Sequence, residues 1–116
     1  IIGKDCHFVY FNNKKLLALF RPQNENKYVN HVSGATLVFW KSLYPLVRFP
    51  HQNVAEDISF QQDCLRKGFR IYSTDQSQYT TIRQNKQFHT WKASDDDILK
   101  ECSIVKYTND FIPFIT

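Results

Sequence analysis

Glu56-Asp57 is the pair of residues best suited to acid–base chemistry in this chain. Asn53 stands three residues before Glu56, so the pair reads as the first turn of a helix, with Asn53 as its N-cap and Glu56 in capping-box position. A helix N-terminus favours an ionised carboxylate. An ionised carboxylate facing a cleft is what a general base requires. Asp95-Asp96-Asp97 imitates the D-x-D pair that holds Mg²⁺ or Mn²⁺. Ser94 precedes it and an apolar helical segment follows, so capping of a first helical turn accounts for the run. His7, His31 and His51 fall in unrelated segments without ligand spacing and read as structural or surface residues. Cys6, Cys64 and Cys102 are odd in number and far apart, which suits reduced, partly buried thiols rather than a disulfide framework or a zinc site.

The elements that must carry these groups can be read from apolar runs and punctuation. Cys6 to Phe11 and Leu16 to Phe20 are strand-length apolar runs joined by Asn12-Asn13-Lys14-Lys15, which predicts a β-hairpin. Pro22 to Val29 reads as a loop. Gly34 to Trp40 reads as a buried strand, and Lys41 to Val47 as a short helix limited by Pro45. The Glu56 helix is expected to end near Gly68, with Arg66 and Lys67 in its last turn and Asp57, Phe60, Gln61 and Cys64 on one face. Phe69 to Ser73 and Gln78 to Arg83 follow as strands. A last helix runs from Ser94 to about Val105, and Asp110 to Thr116 forms an edge strand. The expected order is ββ-β-α-β-β-α-β, a mixed α/β chain whose sheet is not purely parallel.

Composition bounds the rest. With 116 residues, 42% hydrophobic and 16% aromatic, and only 3 Gly and 4 Pro, the chain can build one packed domain and is neither collagen-like nor disordered. No apolar run of about 18 residues spans a membrane. Ile1-Ile2-Gly3-Lys4-Asp5 lacks the basic-then-apolar order of a secretory signal, and a cytoplasmic location is expected. The chain holds no Met and opens on Ile1, which is expected of a piece of a longer protein. Its net charge of +4 is a mild bias toward anionic partners. Lys4 to Phe11 imitates an RNA-binding RNP1 strand, but Asp5 and Cys6 replace its glycine and first stacking aromatic.

Taken in order, several segments resemble the C-terminal half of a family 2 glycosyltransferase with the GT-A (Rossmann-like) fold, over roughly residues 1 to 92. They are Ile1-Ile2-Gly3-Lys4 with the aromatic hairpin, Val32-Ser33-Gly34-Ala35-Thr36, Val47-Arg48-Phe49-Pro50, Ala55-Glu56-Asp57-Ile58-Ser59-Phe60, Gly68-Phe69-Arg70-Ile71-Tyr72, Tyr79 to Arg83, and His89-Thr90-Trp91. The resemblance implies an inverting transfer of a sugar from a nucleotide-sugar donor to the hydroxyl of a glycan or other acceptor. Asp57 would be the general base, with Glu56 orienting the acceptor or capping the helix. It implies that Ser33, Gly34 and Ala35 flank the donor sugar and that Arg83 pairs with phosphate through its fork of donors. Trp91 would offer a platform to a sugar face, and His89 would contact the diphosphate or its metal. The family's nucleotide site and its Mn²⁺ or Mg²⁺ belong mainly to an N-terminal half that precedes these segments. The chain alone is therefore expected to bind no metal and to be inactive. No nucleic-acid partner is implied. The competing reading is a noncatalytic module that uses a basic, aromatic surface for nucleic acid or glycan.

Overall fold

The computed structural model describes residues 1–51, 55–84 and 93–116. Along them run β1 (Ile2–Gly3), β2 (His7–Phe11), β3 (Leu16–Phe20), β4 (Lys27–Val29), α1 (Glu56–Arg66), β5 (Ile71–Ser73), β6 (Thr80–Arg83), α2 (Asp95–Leu99), β7 (Cys102–Tyr107) and α3 (Ile112–Ile115). The architecture is mixed α/β with two mixed sheets. By internal packing the chain divides into two compact units, one of residues 1–5 and 24–74, the other of residues 6–23 and 75–116. No helix among the described residues is long and apolar enough to cross a membrane.

The second unit is built on the expected hairpin. β2 and β3 pair antiparallel from His7↔Phe20 to Phe11↔Leu16, and Lys15 takes the left-handed φ of 49° that closes the turn. β6 adds parallel to β2 and β7 antiparallel to β3, giving the order β6-β2-β3-β7. Every residue of β2 is buried, because the sheet has a core on each face. Val9, Phe11, Leu16, Ala18 and Ile98 fill one side, and Phe8, Tyr10 and Leu17 the other. A strand covered on both faces has no aromatic row left for stacking bases, which disposes of the RNP1 likeness. The β3–β7 register shifts between Leu17 and Ala18, whose partners are Lys106 and Ile104, so Val105 bulges out of the ladder.

Two C-terminal expectations are corrected here. The helix opened by Ser94, whose hydroxyl accepts from the Asp97 N–H, stops at Leu99 instead of reaching Val105. Ser-Ile-Val-Lys-Tyr then forms β7, since β-branched and aromatic side chains pack better on a pleated sheet than on a helix. Asp110 to Thr116 is not an edge strand. The Asp110 carboxylate accepts from the Ile112 N–H, Pro113 fits the first helical turn, and α3 results.

In the first unit β5 lies between β1, parallel, and β4, antiparallel, so part of the expected Pro22–Val29 loop is a strand. α1 packs Phe60 and Cys64 against Leu43 and Val47, with Phe39, Phe49 and Phe69 around them. Phe49 stacks on Phe60 at 4.2 Å between ring centroids. α1 ends as expected: Gly68 takes φ +88°, the Phe69 N–H reaches the Cys64 carbonyl and the Gly68 N–H the Leu65 carbonyl, a Schellman closure.

Gly34 to Trp40 is not an interior strand, and this correction bears on the site. Gly34–Thr36 coils into a single 3₁₀ turn, with the Thr36 hydroxyl donating to the Ser33 carbonyl. Beyond it only Val38 pairs, in one isolated bridge to Ile2, and Trp40 stands exposed. Lys41–Leu43 forms a 3₁₀ turn where a short helix was expected.

Candidate functional site

The first turn of α1 is positioned by one side chain. Gln61 is fully buried and uses its amide as a neighbouring strand would use its backbone. Its Oε1 accepts from the Val32 N–H at 2.8 Å, and its Nε2 donates to the Val32 carbonyl at 3.0 Å and to the Asp57 carbonyl at 3.2 Å. Those bonds fix the segment from His31 to Gly34 against the helix start, with both backbone groups of Val32 satisfied.

Asp57 is thereby brought against two residues of that segment. Gly34 approaches so closely that a Cβ on it would lie 2.6 Å from Asp57 Oδ2 and 2.9 Å from its Cβ and Cγ. No ordinary side chain fits there, so glycine is required for close approach and not for an unusual backbone angle. His31 Nε2 stands 3.7 Å from Asp57 Oδ2. This nitrogen is buried and has no hydrogen-bond partner among the described residues, and the Asp57 carboxylate is the nearest ionic group to it. The carboxylate itself is partly open to solvent, at 28% exposure. The cluster joins a carboxylate and an imidazole, with Gly34 packed directly against the carboxylate, a set able to hold and move a proton.

Glu56 is half-buried in the same first turn, as its first residue. Its capping-box role is corrected. The residue before the helix is Ala55, in a left-handed conformation at φ 63°, with no side-chain cap, and Asn53 lies outside the described residues. Gly34 and Ala35 lie in the 3₁₀ turn and Ser33 immediately before it; of the three, Gly34 is the one packed against Asp57.

Arg83 belongs to the other unit, on β6. Its side chain is almost fully buried there; Nη2 donates to the Ala93 carbonyl at 2.7 Å and Nε lies 3.7 Å from Asp95. The fork is thus engaged with the start of α2. His89 and Trp91 lie outside the described residues. Among the described residues no group of three His, Cys, Asp or Glu side chains is arranged to hold a metal. The three aspartates of α2 instead serve separate basic partners, Asp95 with Arg83, Asp96 with Lys14 and Asp97 with Lys100.

No family model, curated protein or solved structure matches the chain.

Two residues of the cluster have no counterpart among the sequence-derived site residues. His31 reads as a lone histidine, and only its position three residues before Gly34 could have signalled it. The sequence puts Gln61 on one face of α1 with Asp57, Phe60 and Cys64, but nothing in it says that the amide is bonded to residue 32. The thiols add no nucleophile to the site: burial pushes Cys64 up, and burial with Glu101 beside it pushes Cys102 up to about 11.

Proposed function

We propose that this chain is the base-bearing part of an inverting glycosyltransferase acting on a nucleotide-sugar donor and a hydroxyl acceptor. The observation that carries the reading is the contact of Gly34 with the Asp57 carboxylate. Two segments 23 positions apart that resemble the family's donor-sugar turn and its Glu-Asp pair meet there, held together by Gln61. The adjoining buried His31 nitrogen supports it, because a nearby imidazole limits the positions the carboxylate can take.

In the proposed reaction the acceptor oxygen attacks the anomeric carbon while Asp57 takes its proton. The bond from that carbon to the diphosphate breaks, and the nucleoside diphosphate leaves with the electron pair. A hydroxyl is a poor nucleophile at neutral pH, and a positioned base contributes about 10²–10⁴ in rate. Glu56, one residue away, orients the acceptor, and Ser33 and Ala35 border the sugar. A divalent ion, Mn²⁺ or Mg²⁺, would neutralise the diphosphate. The resemblance gives most of its ligands to an N-terminal half, with His89, outside the described residues, as the candidate contact from this chain, and no step here runs through it.

The test is Asp57→Asn in the full-length gene product, assayed against uridine and guanosine diphosphate sugars with Mn²⁺. Asn keeps the shape beside Gly34, so folding and donor KM should stay near their original values. Turnover should fall by about 10²–10⁴. A variant that keeps more than about a tenth of the turnover makes Asp57 only a helix-terminal acid.

A further inference from the structure

The stretch from Leu37 to His51 turns several large side chains outward. Leu43 and Val47 are buried and Leu37, Phe39 and Phe49 pack on them, anchoring the segment to α1. The residues between face solvent: Trp40 is 84% exposed, Leu46 59%, Val38 57% and Tyr44 43%. Four such side chains within nine positions, Trp40 among them, are enough to form a contact surface.

Charge along this segment is one-sided. No Asp or Glu occurs between Glu25 and Glu56, while Lys41 and Arg48 fall inside the segment and are exposed. The Arg48 guanidinium lies 5.4 Å from the Tyr44 ring centroid, and Lys67 reaches over from the end of α1 to donate to the Leu46 carbonyl at 2.7 Å. Asp63, which shares Lys67 with this segment, pairs with both Arg66 and Lys67, so two bases match that acid.

From this we infer that the Val38–Arg48 face is a peripheral membrane-binding surface, with an anionic bilayer as its occupant. Trp and Tyr favour the headgroup level, aliphatic side chains beside them enter the acyl boundary, and Lys and Arg pair with anionic headgroups. A second copy of the chain would bring like charges together on the same face. Nucleic acid would use the rings but has nothing to offer Val38 and Leu46. The inference stands independently of the transferase reading.

The experiment is cosedimentation of this chain with phosphatidylcholine vesicles, with and without phosphatidylglycerol. Trp40 fluorescence is followed in a Trp91→Phe background. Binding to the anionic vesicles with a blue shift of Trp40, weakened by salt, is expected. Trp40→Ser and Leu46→Ser should each cut partitioning about tenfold, since each deletes most of a buried apolar side chain. Lys41→Gln and Arg48→Gln should each cut it about fivefold. All four positions are exposed, and unchanged circular dichroism shows that the fold is intact. Absence of sedimentation with anionic vesicles overturns the inference, as does full binding by both Trp40→Ser and Leu46→Ser. A mass that rises with concentration on size exclusion, and is abolished by Trp40→Ser, would assign the face to a second copy instead.

Discussion

The two units bury different things. The second unit encloses an apolar sheet covered on both faces; its buried polar side chains among the described residues are His7 and Arg83, the latter tied to the start of α2. The first unit buries polar groups inside an aromatic core: Gln61 between Val32 and Asp57, Ser73 receiving the Asp5 N–H, and Asp5 receiving the Asn24 amide. The apolar side chains over that sheet are held by close packing, which has no preferred direction. A buried amide with three bonds fixes its neighbours to within the tolerance of a hydrogen bond. The contrast is between a unit held by apolar packing on both faces of its sheet and one in which buried polar bonds place the Asp57 carboxylate.

Phe11→Ala is the most damaging substitution expected on the apolar side. It empties a fully buried ring position and should cost about 3–5 kcal/mol in denaturant unfolding. Gln61→Leu probes the polar side at similar volume. It strands the N–H and carbonyl of Val32, at about 1–3 kcal/mol for each group, and should release the His31–Gly34 segment from α1. Amide exchange should then speed up at Val32 while the β2–β3 hairpin stays protected. Exchange quickening in the hairpin as well would mean that the two units are not independently organised. Gly68→Ala forces a side chain into a left-handed position and should lower stability by about 1 kcal/mol, leaving open space otherwise undisturbed.

The smallest effect is one of pH. Cys102 is held up to about 11 against an ordinary 9.0, chiefly by burial. The native chain therefore keeps its proton between pH 9 and 11 while the unfolded chain has lost it, so this thiol's contribution declines as pH rises through that window. Alkylation by iodoacetamide at pH 8 should find Cys102 about a hundredfold poorer in thiolate than an unfolded cysteine. Labelling at the unfolded rate would show the second unit to be open around α2.

Where local chemistry decides structure, it could be read. Asn-Asn-Lys-Lys between two apolar runs specified the hairpin, and Arg66-Lys67-Gly68 specified how α1 ends, because both depend on neighbours in sequence. Gly34 to Trp40 carries the composition of a strand, yet Thr36 bonds back to Ser33 and only Val38 finds a partner. Pairing depends on what lies alongside, which composition does not contain. The acidic start at Ser94 suggests a helix through Ser103-Ile104-Val105, but β-branched preference past Leu99 prevails and these residues are strand. At the site Asp57 was legible from its place at a helix start. The His31 and Gly34 contacts were not, since they are made across 26 and 23 positions by folding.

The bulge at Val105 also bears on how the chain behaves in a crowded solution. β7 lies at the rim of its sheet with Ile104, Val105 and Tyr107 outward, the kind of apolar border on which another molecule's strand can add and seed fibrils. The extra residue bends that border out of flatness, and Lys106 puts a charge in the middle of it. Together they make the rim a poor template, so a strand rich in aggregation-prone side chains can remain uncovered without recruiting its own kind.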